Sequence, residues 1–286
     1  NFDLCITEFI RIVDALLPER VFYRVCPELY HDGYTPSATP IRVQLLGQHP
    51  QWMAENAVRA IELGSHGVDI NFGCPSKAVN KSKGGAVLLK TPDEIYNIVK
   101  EVKNSIGPDN LLSVKIRLGF DDTSLLDEIV DAVVQGNANL LTIHARTKKQ
   151  GYKPPAYWDN IGYIQSKYNI DLVANGEIWT KEDALRCTHQ SQTSSLMLGR
   201  GVLATPNLAN VIKHNCEVYT WDDISILLQK YSQIERDGDK SYYFSSRLKQ
   251  WLKYLKLQYP QAEELFQQIK TLKDKELILD KLIETK

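Results

Sequence analysis

The sequence predicts an α/β fold, a (β/α)₈ TIM barrel followed by a small all-α helical bundle, and three observations carry that prediction. Short apolar, β-branched runs alternate with helix-spaced patterns through the first two thirds of the chain, which specifies a parallel sheet covered by helices. Polar residues stand at the C-terminal ends of nearly all these runs: Glu8, Gln44, Asn71 with Cys74, Lys115 with Arg117, His144 with Arg146, Asn175 with Glu177, and Arg200. Barrel enzymes assemble their sites from the ends of many strands, whereas the rival open doubly wound sheet concentrates its site at one crevice. Beyond Lys213 the strand runs stop and only helical patterns remain.

The expected strands, in order, are Leu4 to Phe9, Ile41 to Leu46, Val68 to Phe72, Leu112 to Leu118, Leu140 to His144, Asp171 to Ala174 and Ser195 to Leu198. A helix is expected over Gln51 to Leu63, with Trp52, Ala57, Ala60 and Ile61 at helix spacing. Pro92 to Val102 opens with proline in its first turn and places Ile95, Ile98, Val99 and Val102 on one face. Leu125 to Val134 and Lys181 to Cys187 complete the series. These runs are one strand short of a full barrel. The chain begins Asn1-Phe2-Asp3 rather than with Met, and the barrel's first strand is expected upstream of it. Thr220-Trp221-Asp222-Asp223 reads as the start of the tail, with threonine as cap and acids in the first turn. The expected division is a barrel over 1–218 and a helical domain over 219–286.

Composition narrows the function classes. With 286 residues, 43% of them hydrophobic, the chain can bury a substantial core. A formal net charge of -1 means that any nucleic-acid surface must be local. The five cysteines include no C-x-x-C pair, so neither a disulfide framework nor a zinc site is indicated, no metal is expected, and a cytoplasmic setting fits. No apolar run approaches a membrane span and no signal peptide is visible.

Candidate chemistry centres on Asn71-Phe72-Gly73-Cys74-Pro75-Ser76-Lys77, which runs on to Gly84-Gly85-Ala86. A cysteine between glycine and proline just past a strand end sits on a stiff, exposed turn, where a thiol serves as proton donor or nucleophile; a buried apolar filler is the plainer reading. Lys115, on an apolar strand, is either the charge partner of an anionic cofactor, a Schiff-base lysine, or a strand-end lysine reaching solvent. His144 and Gln44 offer ring and amide hydrogen-bonding groups at strand ends, as ligand contacts or as satisfied structural groups. The turns Asn175-Gly176-Glu177 and Leu198-Gly199-Arg200-Gly201 follow the last two strands, where many barrels hold a phosphate. In the tail, the window from Lys240 to Ala262 has no acidic residue; it carries Lys240, Arg247, Lys249, Lys253 and Lys256, with Tyr242, Tyr243, Phe244, Trp251, Tyr254 and Tyr259 interleaved. Leu248, Leu252 and Leu255 form an apolar stripe and Lys249, Lys253 and Lys256 a basic one. That pattern suits RNA backbone and unstacked bases, or a solvated lysine face over a bundle core.

Taken together, Asn71-Phe72-Gly73-Cys74-Pro75 with Lys77 and Gly84-Gly85-Ala86, Lys115-Ile116-Arg117-Leu118-Gly119, His144-Ala145-Arg146-Thr147, Asn175-Gly176-Glu177-Ile178 and Gly199-Arg200-Gly201 resemble the tRNA-dihydrouridine synthases along the whole barrel. Ser246-Arg247-Leu248-Lys249-Gln250-Trp251-Leu252 resembles the bacterial C subfamily, associated with uridine 16 of tRNA. The resemblance implies FMN as cofactor, NADPH (or NADH) as reductant and a tRNA uridine as substrate. It assigns FMN to Gln44, Lys115, Asn175, Gly176, Glu177, Gly199 and Arg200, and His144 at its strand end is expected to join them as a cofactor contact. Cys74 becomes the general acid, Asn71 and Tyr152 contact the target nucleotide, and Arg11, Arg247, Lys249, Tyr254 and Lys270 contact tRNA. The family's opening strand with its Ala-Pro-Met flavin loop has no counterpart here. Lys81 and Lys83 are not fixed by the family pattern and meet either phosphates or solvent. The alternatives are a flavin barrel oxidoreductase for a small heterocycle such as dihydroorotate, a flavin-free Schiff-base barrel on Lys115, and a non-catalytic RNA-binding protein. No membrane and no obligate protein partner are expected.

Overall fold

The computed structural model describes residues 2–234 and 242–285; Lys240, expected to open the basic window, lies outside them, as does the side chain of Tyr242. By contacts the chain divides into two compact units, Asn1–Glu177 with Leu185–Met197, and Ile178–Ala184 with Leu198–Lys286. The sequence pattern changes near 218, but the segment from Leu198 onward packs with the helical tail.

The first unit is built on a parallel sheet of β1 (Cys5–Ile6), β2 (Ile10–Arg11), β3 (Ile41–Leu46), β4 (Val68–Asn71), β5 (Leu112–Arg117), β6 (Leu140–His144), β7 (Asp171–Asn175) and β8 (Leu196–Met197). From β3 to β8 each strand pairs with its successor in the chain, and both β1 and β2 pair with β3. That sequential order of parallel strands is the order of a (β/α) barrel. Among the described residues, no pairing joins β8 to β1 or β2.

The expected strand Leu4 to Phe9 is two short strands. Cys5 pairs with Ile41, but Ile10 pairs with Leu45, so Thr7, Glu8 and Phe9 stand opposite only Val43 and Gln44. One extra residue on one strand is a bulge. The Thr7 hydroxyl creates it by accepting the Gln44 N–H at 3.0 Å, the place a backbone carbonyl would take in a regular ladder. The bulge carries the strand on to Arg11, two residues past its expected end.

The helices of this unit lie between strands: α1 (Glu19–Val25), α2 (Pro50–Glu62), α3 (Lys77–Lys81), α4 (Pro92–Ile106), α5 (Leu126–Gln135) and α6 (Asp159–Lys167). The expected helices are present with ends shifted by a few residues, and α6, whose apolar signal is only Ile161 and Ile164, was not anticipated. Val43, Leu45, Val68, Ile70, Leu112, Val114, Ile116, Leu141, Ile143, Leu172 and Ala174 occupy one face of the strands and are buried. The alternate positions carry Arg42, Gln44, Asp69, Asn71, Ser113, Lys115, Arg117, Thr142, His144, Asp171 and Asn175, with Leu46, Leu140 and Val173 as their apolar members. Side chains alternate between the faces of a strand, so one face is a continuous apolar layer against the helices and the other is mostly polar.

α7 (Lys181–Ser191) opens in the second unit. The second unit also holds α8 (Arg200–Ala204), α9 (Leu208–His214), α10 (Trp221–Ser232), α11 (Tyr242–Leu255), α12 (Pro260–Ile269) and α13 (Lys275–Glu284). The α10 start is as read: the Thr220 hydroxyl accepts the Asp223 N–H and the Asp223 carboxylate accepts the Thr220 N–H. Leu248, Leu252 and Leu255 are fully buried with Ile224, Leu228, Leu265 and Ile278, so the apolar stripe is the bundle core. Among the described residues, no helix is long and apolar enough to cross a membrane.

Candidate active site

The polar face of the sheet is wired together. Asp69 on β4 is wholly buried; Ser113 and Gln44 both donate to it, the latter at 2.7 Å. Gln44 Oε1 in turn accepts from Asn71 Nδ2 at 2.8 Å, and Asn71 Oδ1 accepts from the Gly73 N–H at 2.8 Å. The chain of bonds therefore runs from the floor of the sheet to the residue before Cys74. Burial pushes the Asp69 carboxyl above its ordinary range, against the lowering effect of its two donors.

The cysteine turn is fixed from the other side as well. The Gly73 carbonyl accepts from Arg117 Nε at 2.8 Å. The Cys74 carbonyl accepts from Asn80 Nδ2 at 2.9 Å and from the Ala86 N–H at 3.1 Å. Gly85, at φ +67, packs so closely that a Cβ there would lie 3.1 Å from Cys74 Cβ and 3.0 Å from its carbonyl. Glycine is needed at 85 both for the left-handed backbone and for that approach. Cys74 itself is half-buried, not a core filler.

Lys115 is half-buried, and its ammonium donates to Asn175 Oδ1 at 3.1 Å, whose Nδ2 donates to the Met197 carbonyl at 2.8 Å. Burial is the main cause that lowers the Lys115 pKa to about 8, with the Arg117 charge adding to it and Asp69 opposing it. A half-buried cation with no carboxylate in hydrogen-bond contact among the described residues is suited to an anionic ligand. Gly176 (φ +118) is followed by Glu177 (φ 55), two successive left-handed residues at the end of β7. A Cβ at 176 would lie 3.1 Å from the His144 ring, tighter than an ordinary contact, and the left-handed backbone there favours glycine. The Glu177 carboxylate pairs with the fully buried Arg146, whose Nη1 has no acceptor among the described residues.

Tyr152 is exposed, its ring 5.9 Å from that of His144 and 5.1 Å from the Arg117 guanidinium. The first unit thus brings together Gln44, Asn71, Cys74, Lys115, His144, Tyr152, Asn175, Gly176 and Glu177. Sequence reasoning missed Asp69, Ser113, Asn80 and Arg146 as the residues that hold them. The period-two polar pattern Asp69-x-Asn71 and Ser113-x-Lys115-x-Arg117 signals the first two; nothing local signals Asn80 or Arg146.

In the second unit, the Arg200 guanidinium stacks 5.1 Å over Trp179, and Gly201 lies against the Ile178 carbonyl, where a Cβ would come within 2.2 Å. A Cβ at Gly199 would meet no atom within 4 Å. The basic stripe is uneven. Lys253 is exposed, Lys256 pairs with Glu263 at 2.9 Å, and Lys249 is half-buried with its ammonium on the Leu272 carbonyl. Burial and the nearby Lys273 lower the Lys249 pKa. Arg247 is exposed, Tyr254 half-buried, and Lys270 is bonded to Gln267 at 2.9 Å. Tyr259 belongs to the bundle core, Phe244 and Trp251 pack against that core, and Trp251 donates to the Leu203 carbonyl at 2.9 Å.

The sequence profile described as "Dihydrouridine synthase (Dus)" matches residues 1–285. The chain belongs to the dihydrouridine synthase family. It is therefore an enzyme of a flavin-dependent oxidoreductase family on a TIM barrel. It is 51% identical over 278 residues to the tRNA-dihydrouridine(16) synthase of Shewanella oneidensis, spanning 97% of this chain and 88% of that one. It is 51% identical over 272 residues to that of Haemophilus influenzae, spanning 95% and 88%. The Escherichia coli K12 protein of the same name is 50% identical over 273 residues, spanning 95% and 87%. Among the described residues, no group of three or more His, Cys, Asp or Glu is placed to hold a metal ion. The Gln44 amide, the Lys115 ammonium and the glycine turn beside the buried Arg146, with its spare donor, suit a flavin.

Proposed function

We propose that this chain reduces a uridine of tRNA, uridine 16, to 5,6-dihydrouridine in the cytoplasm, with FMN as resident cofactor and NADPH as reductant. The pinned cysteine turn above a wired polar floor is the observation that carries this reading. The relatives' names and the match along the whole chain support the substrate. Gln44, Lys115, His144, Asn175, Gly176, Glu177, Gly199 and Arg200 would hold the cofactor. When bound, FMN supplies the hydride that goes to C6 of the uracil, and NADPH replenishes it.

Cys74 supplies the other hydrogen. Its S–H transfers a proton to C5 as the C5–C6 double bond is lost, and the thiolate is reprotonated from solvent, so no covalent bond to the cysteine forms. Asn71 and Tyr152 hold the base, which must be extruded from its stack to reach the thiol. The exposed Tyr152 ring, backed by the Arg117 guanidinium, suits stacking on an unstacked base. The Lys115 ammonium stabilises negative charge on the reduced cofactor. The Glu177 carboxylate, held by Arg146, does not oppose a phosphate as a bare charge would. In the division into 1–218 and 219–286, the tail carries tRNA contacts at Arg247, Lys249, Tyr254 and Lys270, and Arg11 adds one from the barrel.

Cys74→Ala tests the reading. The variant should purify with flavin absorbance and accept electrons from NADPH, yet form dihydrouridine about 10²–10⁴-fold more slowly. Wild-type rates on tRNA in this variant would sink the assignment.

A further inference from the structure

The catalytic turn continues into a second feature that the family pattern does not account for. Arg11 on β2, Gly47 after β3, Lys81 at the end of α3 and Ser82 to Gly84 after it line a pocket of about 340 Å³. The Arg11 guanidinium donates to the Ser82 hydroxyl and ties the two walls together. Arg11, Lys81 and Lys83 are exposed, and among the described residues none of the three is paired with a carboxylate. Three cations around one pocket repel one another unless an anion joins them.

Lys83 is placed there at a conformational cost. Its φ is 57, in the left-handed region where glycine is at ease and a long side chain is not. A lysine kept where the backbone favours glycine points to a use for its ammonium. The pocket is also joined to the thiol. Between Lys81 and Cys74 lies Asn80, whose amide holds the Cys74 carbonyl, and Gly85, two residues after Lys83, packs on Cys74.

We propose that this pocket is a phosphate site, in which Lys81 and Lys83 act with Arg11 to hold a backbone phosphate of the bound tRNA. The inference rests on the tRNA reading above. Its consequence is that substrate binding steadies the segment that carries the proton donor. The same phosphate chemistry is offered by the 2′-phosphate of NADPH, and the test separates the two sources.

The experiment compares wild type with Lys81→Ala/Lys83→Ala in tRNA binding across a salt titration. Each lost phosphate contact lowers the slope of log affinity against log salt by about 0.7–0.9, so the double variant should lose roughly 1.5 units of slope, with flavin content unchanged. Lys83→Gly controls for disturbance of the turn: it suits φ 57, so its Tm should hold or rise while the slope still falls by about one unit. Coincident salt curves for wild type and the double variant overturn the pocket and leave the tRNA reading standing. A raised KM for NADPH but not NADH, with the tRNA slope intact, assigns the pocket to the cofactor and overturns the proposal. A wild-type protein that binds no tRNA overturns the functional reading and this ligand with it.

Discussion

The two units use polar residues in opposite ways. In the barrel unit the polar side chains are enclosed, and each is fixed by the next: Ser113 and Gln44 on Asp69, Asn71 on Gln44, Gly73 on Asn71. In the helical unit the basic side chains are engaged one at a time, the exposed Lys256 by Glu263 and Lys270 by Gln267, and the half-buried Lys249 by the Leu272 carbonyl in the loop after α12. An enclosed network transmits the loss of one member to the others, because a buried polar group left unpaired is costly. A surface cation is screened and acts nearly alone. Damage in the barrel should therefore be large and cooperative, and damage in the tail small and additive.

Lys115 gives the strongest test of the enclosed side. Its pKa is lowered to about 8 from the ordinary 10.5, mainly by burial. In the flavin-free protein the unfolded chain takes up this proton first as pH falls, so the lysine's contribution to stability rises with pH between about 8 and 10.5. Lys115→Met should abolish that rise in Tm and increase stability at pH 7. The same variant should bind FMN at least tenfold more weakly, roughly the cost of losing one charge-assisted hydrogen bond. In wild type, FMN affinity should decline above about pH 8 as the ammonium is lost. An unchanged flavin affinity in Lys115→Met would detach this lysine from the cofactor.

The exposed side predicts unequal lysines in one stripe. Arg247→Ala should lower the salt slope of tRNA binding by about one unit, because among the described residues its guanidinium meets only the neutral Gln250 amide and no carboxylate. Lys256→Ala should leave the slope nearly unchanged, since Glu263 already neutralises that ammonium. Lys249→Ala should lower Tm as well as affinity, through the carbonyl it leaves unpaired. Equal slopes for Arg247→Ala and Lys256→Ala would mean that the stripe acts only as a diffuse field.

The same contrast explains what could be read in advance. The barrel was legible because its physics is periodic: apolar layers at alternate strand positions, glycine where a backbone approaches, and Cys74 between glycine and proline past a strand. The residues that hold the site were less legible. Asp69 and Ser113 follow the period-two pattern and were overlooked as ordinary strand positions, while Arg146 meets Glu177 thirty-one residues away, a contact that only the parallel register of β6 and β7 creates. The bulge at Thr7 escaped because it depends on one hydroxyl accepting a neighbouring strand's N–H. In the tail, composition gave the basic and aromatic content but not its distribution. The apolar stripe at Leu248, Leu252 and Leu255 was clear from helical spacing, yet spacing does not reveal that Tyr259 is core or that Glu263, just past the acid-free window, reaches back to Lys256.

Tyr259 offers the smallest and cleanest test. It is 5% exposed, its ring lies 6.1 Å from that of Trp221, and its hydroxyl is buried with no partner among the described residues. Burial pushes its pKa up to about 12, so it stays neutral and un-ionised through the whole working range. A hydroxyl enclosed without a hydrogen bond costs roughly 1–3 kcal/mol relative to water. Tyr259→Phe removes that hydroxyl and keeps the ring packing, so Tm should stay level or rise by a few degrees. Tyr259→Ala should instead destabilise the fold by roughly 3–5 kcal/mol, and lower Tm, through the cavity left among Trp221 and its neighbours. If this tyrosine stacked on RNA bases, as the interleaved aromatic pattern allowed, Tyr259→Phe would keep that role too, but Tyr259→Ala would weaken tRNA binding beyond what its loss of folded protein explains. Binding measured on the folded fraction of Tyr259→Ala separates the two, and affinity equal to wild type there is the result expected of a core residue.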